Sequence, residues 1–131
     1  MFTGVSVDEI AMIWPVLEPM LRKAIASGET TDGLLSNLQS QEAQLWVVFD
    51  EGCPIAGIVT EIATEDDGSK VCNIWAVGGS AIQEWFGYLA TIEAWARAEG
   101  CSAVTVDKGR PGWKRLMQGY KVTHVSLRKD I

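Results

Sequence analysis

Residues 71–106, with the sequence VCNIWAVGGSAIQEWFGYLATIEAWARAEGCSAVTV, decide the fold of this chain. The apolar run over residues 71–77 and a second one over residues 103–106 are typical of buried strands. Between them, a capping-box pattern at residues 80–83 and apolar residues at helical spacing predict one long amphipathic helix that ends at Gly100. Because a helix between two strands forms a crossover, we expect these two strands to be parallel neighbours in one sheet.

Two helices are predicted before this stretch. Residues 6–9, with the sequence SVDE, form a further capping box, so a helix should begin near Val7. Pro15 lies within that helix and removes a backbone donor, which predicts a kink or a split. A second, short helix is expected to start from a cap within residues 30–32 and to run to about Leu38.

The remaining elements complete a mixed sheet. Strands are predicted over residues 45–49, 54–63, 70–77, 103–106 and 122–127. Gly57 interrupts the second of these strands and predicts a bulge there. A short helix over residues 111–118 precedes the last strand. The fold class is therefore α/β, with a mixed sheet in the order (β)ααβββαβαβ. The sequence does not decide whether a strand precedes the first helix.

Composition sets the class of protein. A chain of 131 residues with 47% apolar residues and six Trp predicts one packed domain over residues 1–131. No apolar run is long enough for a membrane span, and the first residues do not have the pattern of a signal peptide. The three cysteines have no CxxC spacing and His124 is the only histidine, so we expect reduced thiols, a cytoplasmic location and no metal site.

Charge is distributed unevenly along the chain. Residues 1–107 hold 16 of the 17 acidic side chains, whereas residues 108–131 hold 7 of the 11 basic ones. The acidic body argues against nucleic acid as a partner. The basic end either binds a phosphate-bearing ligand or an acidic surface, or is simply the solvated face of a short helix and a strand.

The order of elements resembles the GCN5-related N-acetyltransferase (GNAT) superfamily. The resemblance covers nearly the whole chain, and Gly119-Tyr120 is similar to the glycine-aromatic pair that ends the last helix of that family. Residues 45–48 (LWVV), 92–96 (IEAWA) and 109–113 (GRPGW) look closest to small GNAT-fold proteins encoded by phages and prophages. The resemblance implies acetyl-CoA as cofactor, held where the strand before the crossover helix splays from its parallel neighbour.

The cofactor site implied by this resemblance is the turn after the third strand of the meander. Val77, Gly78, Gly79, Ser80 and Ala81 would bind the pantetheine arm and the pyrophosphate. Glycines permit close approach, and a helix start favours an anion. However, the turn is shorter than the family pattern and lacks its Arg or Gln. The alternative is that Gly78-Gly79 is only a tight strand-to-helix turn.

Glu61 is the candidate general base for deprotonating an acceptor amine. Family bases often lie in this strand, and partly apolar surroundings would raise the pKa of a carboxyl there. The alternative is that Glu61 points to solvent. Arg115 stands where active family members carry a general-acid Tyr, and a guanidinium cannot serve as an acid near neutral pH.

Two functions follow from these features. The first is an acyl-CoA-dependent N-acyltransferase that acts on an unidentified amine. The second is a catalytically silent GNAT-fold assembly protein of a phage or prophage, in the virion or the host cytoplasm. The surplus of tryptophan, which is enriched at interfaces, would then serve a homo-oligomer or a structural partner.

Overall fold

A computed structural model of the chain describes residues 2–23, 30–80, 86–107, 121–123 and 126–131. Several predicted features lie outside these residues, namely the short helix over 111–118, Gly119-Tyr120, Arg115, His124 and the cofactor-site residue Ala81.

A seven-stranded mixed sheet forms the centre of the described part of the chain, in the order β1-β2-β3-β4-β5-β7-β6. The strands are β1 Phe2–Val5, β2 Ala43–Asp50, β3 Cys53–Thr64, β4 Lys70–Gly79, β5 Cys101–Asp107, β6 Lys121–Thr123 and β7 Ser126–Asp130. The predicted parallel pairing of β4 with β5 is confirmed, and the other neighbours are antiparallel. The prediction of one closing strand was wrong, because β6 and β7 pair with each other as two strands.

Three α-helices flank this sheet in the described residues: α1 Val7–Arg22, α2 Thr31–Gln39 and α3 Leu89–Ala98. The predicted start of α1 and the position of α2 are confirmed. The Thr30 hydroxyl accepts a hydrogen bond from the Gly33 N–H at 3.3 Å and so caps α2.

Pro15 does not split α1, so that half of the prediction was wrong, and the kink stays a prediction. Pro15 and Pro19 both lie inside one continuous helix. Pro15 leaves the carbonyl of Ala11 without its intrahelical donor, and Pro19 leaves the carbonyl of Pro15 without one. All three residues are exposed. Water can therefore satisfy those carbonyls, while the opposite face holds the helix on the sheet through Ile10, Leu17 and Leu21.

The crossover helix differs from the prediction at residues 86–88. A 3-10 turn over Phe86–Tyr88 precedes α3, so the predicted continuous helix is wrong at those residues. Gly87 lies in this turn, and glycine disfavours the α-helix. Three residues of α3, Leu89, Ile92 and Ala96, are buried against the sheet.

Each face of the sheet carries its own core. The core below α1 and α2 is formed by Val5, Ile10, Leu17, Leu21, Leu34, Leu38, Leu45, Val47, Val59 and Ala76. The core below α3 is formed by Trp46, Ile58, Cys72, Ile74, Val77, Leu89, Ile92, Ala96, Cys101, Val104 and Val106. These two sets alternate along the strands, as the period of a pleated sheet requires.

Glu93 is the polar exception in the apolar stripe of α3. Its side chain is 11% exposed, and its carboxylate accepts a hydrogen bond from the Lys129 ammonium at 2.9 Å. The pair joins α3 to β7. Burial of this carboxylate is therefore compensated by a charged partner.

Candidate functional site

The sheet opens between β4 and β5. The two strands pair only over Lys70–Ile74 of β4, and the last pair is Ile74 with Val106. Beyond that point β4 continues to Gly79 and stays paired with β3, whereas Asp107 of β5 pairs with β7. No described strand pairs with this edge of β4 beyond Ile74, and we call this unpaired edge, beyond the end of β5, the split.

A β-bulge marks the apex of this split. Val59 lies opposite Ala76 and Thr60 lies opposite Ile74, which leaves Trp75 as the extra residue of β4. The predicted bulge at Gly57 was wrong, since Gly57 pairs regularly and the other irregularity of β3 lies near Ile55. A bulge strengthens the local twist, which helps β4 and β5 to diverge.

The backbone of β4 directs hydrogen-bonding groups into the split. The Ser80 N–H donates to the Ile55 carbonyl at 2.8 Å, so these two residues form a hydrogen-bonded antiparallel pair. Bonded and non-bonded pairs alternate in an antiparallel ladder. Val77 and Gly79 therefore turn their N–H and C=O groups away from β3 and towards the split.

The predicted cofactor-site residues fall into two groups, according to whether their backbone N–H and C=O groups point to the split or to β3. Val77 and Gly79 present backbone groups to the split, whereas Gly78 turns its own towards β3 and the Ser80 N–H already has the Ile55 carbonyl as acceptor. Gly78 and Gly79 belong to β4 and not to a turn, which corrects the prediction of a loop at these two residues.

Packing accounts for both glycines. A Cβ on Gly78 would lie 2.3 Å from the Met20 carbonyl oxygen of α1, so α1 approaches the sheet closely only over a glycine. Gly79 has φ +123, and a Cβ there would lie 2.3 Å from the Ile55 oxygen. The two glycines therefore do mark a close approach to the backbone, but the approaching atoms belong to Met20 and Ile55 of the chain itself.

Glu61 lies beside the apex of the split. It is opposite Asn73, one residue before the last pair of β4 with β5, and its Oε1 accepts a hydrogen bond from Asn73 Nδ2 at 3.2 Å. Val77 is opposite Ile58, so Glu61 lies three residues further along β3, roughly 10 Å away. Its neighbours include polar groups as well as the apolar ones that the sequence suggested.

A groove of about 680 Å³ begins at Glu61. It is lined by residues from the start of α1, the entry to β2 and the end of α3. Two further carboxylates, those of Glu42 and Glu99, line it together with Gln41, Gln44 and Ser6. The groove therefore has an anionic, hydrogen-bonding wall that suits a cationic ligand.

Two polar residues beside Glu61 were not singled out from the sequence. Asn73 interrupts the apolar run of β4 and is 7% exposed, and Thr105 Oγ1 donates to Asn73 Oδ1 at 3.0 Å. The signal was present, because a polar amide within an otherwise apolar strand must find partners in the sheet.

The buried thiol near the split is not a nucleophile. Cys72 lies on β4 in the core below α3, and burial raises the pKa of its thiol to about 12. It stays protonated near neutral pH, and a thiol in that form is a poor nucleophile.

The described residues hold no group of three or more His, Cys, Asp or Glu placed to bind a metal ion. None of the described helices has the length and apolar character of a membrane span.

Solved structures with the same architecture are GNAT acetyltransferases. A GNAT family acetyltransferase from Brucella melitensis in complex with acetyl-CoA matches with a TM-score of 0.75 and 14% identity, over 100% of this chain and 87% of that one. The polyamine N-acetyltransferase of Drosophila melanogaster, which forms N-acetylagmatine, matches with 0.72 and 14%, over 100% and 99%. An IAA acetyltransferase from Bacillus cereus matches with 0.71 and 12%, over 100% and 99%.

These likenesses establish the fold. The chain has the GNAT fold, as its element order predicted. Its sequence matches no protein-family model and no curated protein.

Proposed function

We propose that this protein is an acyl-CoA-dependent N-acyltransferase with acetyl-CoA as the acyl donor. The split between β4 and β5 is the observation that carries the proposal. It leaves the backbone groups of Val77 and Gly79 without a strand partner among the described residues. Such groups suit an extended ligand with amides of its own. The acetyl-CoA complex of the Brucella protein, which shares the fold, supports the same donor.

The residues of the split would hold the donor chiefly through its pantetheine arm. Val77 and Gly79 offer backbone donors and acceptors there, whereas the N–H of Ser80 is already bonded to Ile55. When bound, acetyl-CoA supplies an acyl group activated as a thioester. The role of Ala81 as a phosphate-binding residue stays a prediction.

Glu61 would act as the general base. Its place beside the apex puts a carboxylate within a water molecule or two of an amine that approaches the thioester end of the split. Its part is to accept the proton that the amine nitrogen loses on acylation. The anionic wall of the groove, with Glu42 and Glu99, supports a cationic amine as acceptor. The free cysteines suit a cytoplasmic setting.

Calorimetry and turnover test this proposal. Acetyl-CoA should bind with one-site stoichiometry and raise the melting temperature at concentrations well above its Kd. CoA release should be measured with a panel of diamines, arylamines and amino-terminal peptides. Glu61→Gln should lower kcat by about 10²-fold or more without weakening acetyl-CoA binding. The matched control is Glu51→Gln in the β2–β3 turn, which should leave both unchanged. Failure of acetyl-CoA to bind at millimolar concentration would refute the proposal.

A non-catalytic assembly role, in a phage or prophage, is the second candidate. One surface supports it: Met12 is 83% exposed and Val16 is 47% exposed on α1, beside the outer edge strand β1. Exposed apolar groups next to an unpaired strand edge favour association. Light scattering after gel filtration tests it, with Met12→Glu/Val16→Glu expected to dissociate any oligomer. A monomer that acetylates amines would exclude this role.

A further inference from the structure

A polar ladder runs across three strands directly before the split opens. Glu61 of β3, Asn73 of β4 and Thr105 of β5 occupy one register row. Thr105 Oγ1 donates to Asn73 Oδ1 at 3.0 Å, and Asn73 Nδ2 donates to Glu61 Oε1 at 3.2 Å. The next pair along, Ile74 with Val106, is the last one between β4 and β5. The ladder therefore lies at the apex.

The charge of Glu61 sets the direction of both hydrogen bonds. An ionised carboxylate only accepts, so the amide of Asn73 must turn its NH₂ group towards Glu61. Its Oδ1 then faces β5, where it can only accept, and the Thr105 hydroxyl must donate. Reversing the amide would place two acceptors against each other. The three groups consequently have a single favourable arrangement.

The ladder is buried at Asn73 and open to the groove at Glu61. Asn73 is 7% exposed, whereas Glu61 is half-buried and lines the groove. Burial of an amide without partners costs roughly 1–3 kcal/mol, which opposes any loosening of Asn73. Oε1 of Glu61 is thus fixed, and its Oε2 has no hydrogen-bond partner among the described residues. One oxygen anchors the side chain while the other remains available to the groove.

We propose that Asn73 and Thr105 are positioning residues that hold the Glu61 carboxylate at the apex of the split with Oε2 directed to the acceptor. Thr105 acts through Asn73, although it does not itself touch Glu61. The inference rests on the proposed acyltransferase function, in which Glu61 is the base.

Kinetics of isosteric variants test the ladder. Thr105→Val removes the donor but keeps the shape, and it should lower kcat about 3- to 10-fold with KM for acetyl-CoA unchanged. Thr105→Ser retains the hydroxyl and should recover most of that loss. In a Glu61→Gln background, Thr105→Val should have no further effect, because both changes interrupt one pathway. Thr64→Val, at the exposed end of β3, is the matched control and should keep the full rate.

A second measurement does not depend on turnover. The side-chain amide resonances of Asn73 should differ between the wild type and Glu61→Gln, because the variant changes the acceptor of the Asn73 NH₂ group. Thr105→Val should also move these resonances without unfolding the protein. Absence of both turnover and acetyl-CoA binding would refute the proposed function. The Asn73 resonances would still show whether Thr105, Asn73 and Glu61 are coupled by hydrogen bonds.

The inference is overturned by any of three results: Thr105→Val keeps the wild-type kcat, Thr105→Val lowers kcat further in the Glu61→Gln background, or Glu61→Gln leaves the Asn73 amide resonances unchanged. A rate loss that Thr105→Ser fails to recover would equally assign Thr105 a purely structural role.

Discussion

Gly78→Ala is the substitution that best separates packing from ligand binding at the end of β4. The added Cβ would lie 2.3 Å from the carbonyl oxygen and 2.7 Å from the carbonyl carbon of Met20. Both are backbone atoms of α1, so no side chain can rotate away. Relief of the contact requires α1 to retreat from the sheet by roughly 1 Å, the difference from an ordinary carbon–oxygen contact.

The cost follows from what α1 buries. Leu17 and Leu21 are both 0% exposed below this part of the helix. Full burial of such a side chain contributes about 1.5–3 kcal/mol. A gap of up to 1 Å forfeits roughly a quarter to a half of the contact energy. The two leucines together then lose about 1–3 kcal/mol, in the range measured for overpacked cores. For a domain of this size, the melting temperature should fall by roughly 5–12 °C.

The chain provides a matched control directly opposite. Gly57 pairs with Gly78 in the β3–β4 register and faces the same helix. A Cβ on Gly57 would lie 3.5 Å from the two Leu17 methyl carbons, which is ordinary van der Waals contact. Gly57→Ala should therefore change the free energy of unfolding by less than about 1 kcal/mol, and reduced freedom of the unfolded chain could make it stabilising.

Urea unfolding followed by tryptophan fluorescence measures both variants. We expect a lower midpoint at an unchanged m-value for Gly78→Ala and little change for Gly57→Ala. Equal stability of the two variants would refute the packing argument. If Gly78→Ala instead kept full stability and lost only acetyl-CoA binding, Gly78 would be a ligand-contacting glycine after all.

Three further predictions follow from single side chains. Iodoacetamide at pH 8 should modify the exposed Cys53 and leave Cys72 unmodified in the folded protein, because burial raises the pKa of Cys72 to about 12; peptide mass mapping checks this. A hydrogen bond from Arg22 lowers the pKa of Glu18 below 4.5, so its stabilising contribution should be complete above that pH and be lost as the pH falls through the lowered value. Chemical unfolding should accordingly separate Glu18→Gln from the wild type more at pH 7 than at pH 3. Thr60→Val removes the acceptor of a buried indole N–H and should cost about 1–3 kcal/mol in urea unfolding, whereas Thr60→Ser should cost less.

The local elements could be predicted because their signals are local. The start of α1 and the cap of α2 follow from residues within one turn of each feature, and the parallel pair follows from the strand–helix–strand order of one continuous stretch, residues 71–106. The first strand was left open, since Phe2–Val5 is fixed by distant partners: it pairs with β2, and the Phe2 ring stacks on Trp46 at 5.3 Å. A strand of four residues carries too little pattern to be recognised without those contacts.

The site was harder to predict because it depends on register. Glu61, Val77 and Gly79 stay predictions as site residues, and which backbone groups face the split depends on the pairing of β4 with β3. For the same reason, the sequence did not reveal the contacts of Gly78 and Ser80 within the chain. Their partners, Met20 and Ile55, are distant in sequence and come close only in the fold.

The bulge at Trp75 connects the fold to the site. Ile74 and Val77 both face the core below α3, whereas Trp75 and Ala76 pack on the side of α1, so the usual alternation is shifted by one residue. If Trp75 paired regularly with Val59 and no bulge formed, Val77 and not Gly78 would lie opposite Gly57 and face Met20, and α1 could not approach the sheet.

The same shift decides which backbone groups are free beyond the apex. The Glu65 N–H donates to the Ser69 carbonyl, so alternation along the ladder turns the backbone groups of Cys72 and Ile74 towards β5. Regular alternation in the intact sequence would next expose Ala76 and Gly78. The bulge exposes Val77 and Gly79 instead. In the intact sequence, the bulge at Trp75 therefore both allows close packing of α1 and aims the free backbone of β4 into the split. Deleting Trp75 should keep Ala76 opposite Val59 and Gly78 opposite Gly57, so the deletion variant should still fold and bind acetyl-CoA, with a stability lowered by the loss of the Trp75 side chain. Loss of acetyl-CoA binding by a folded deletion variant would show that the bulge itself, and not the register beyond it, positions the site.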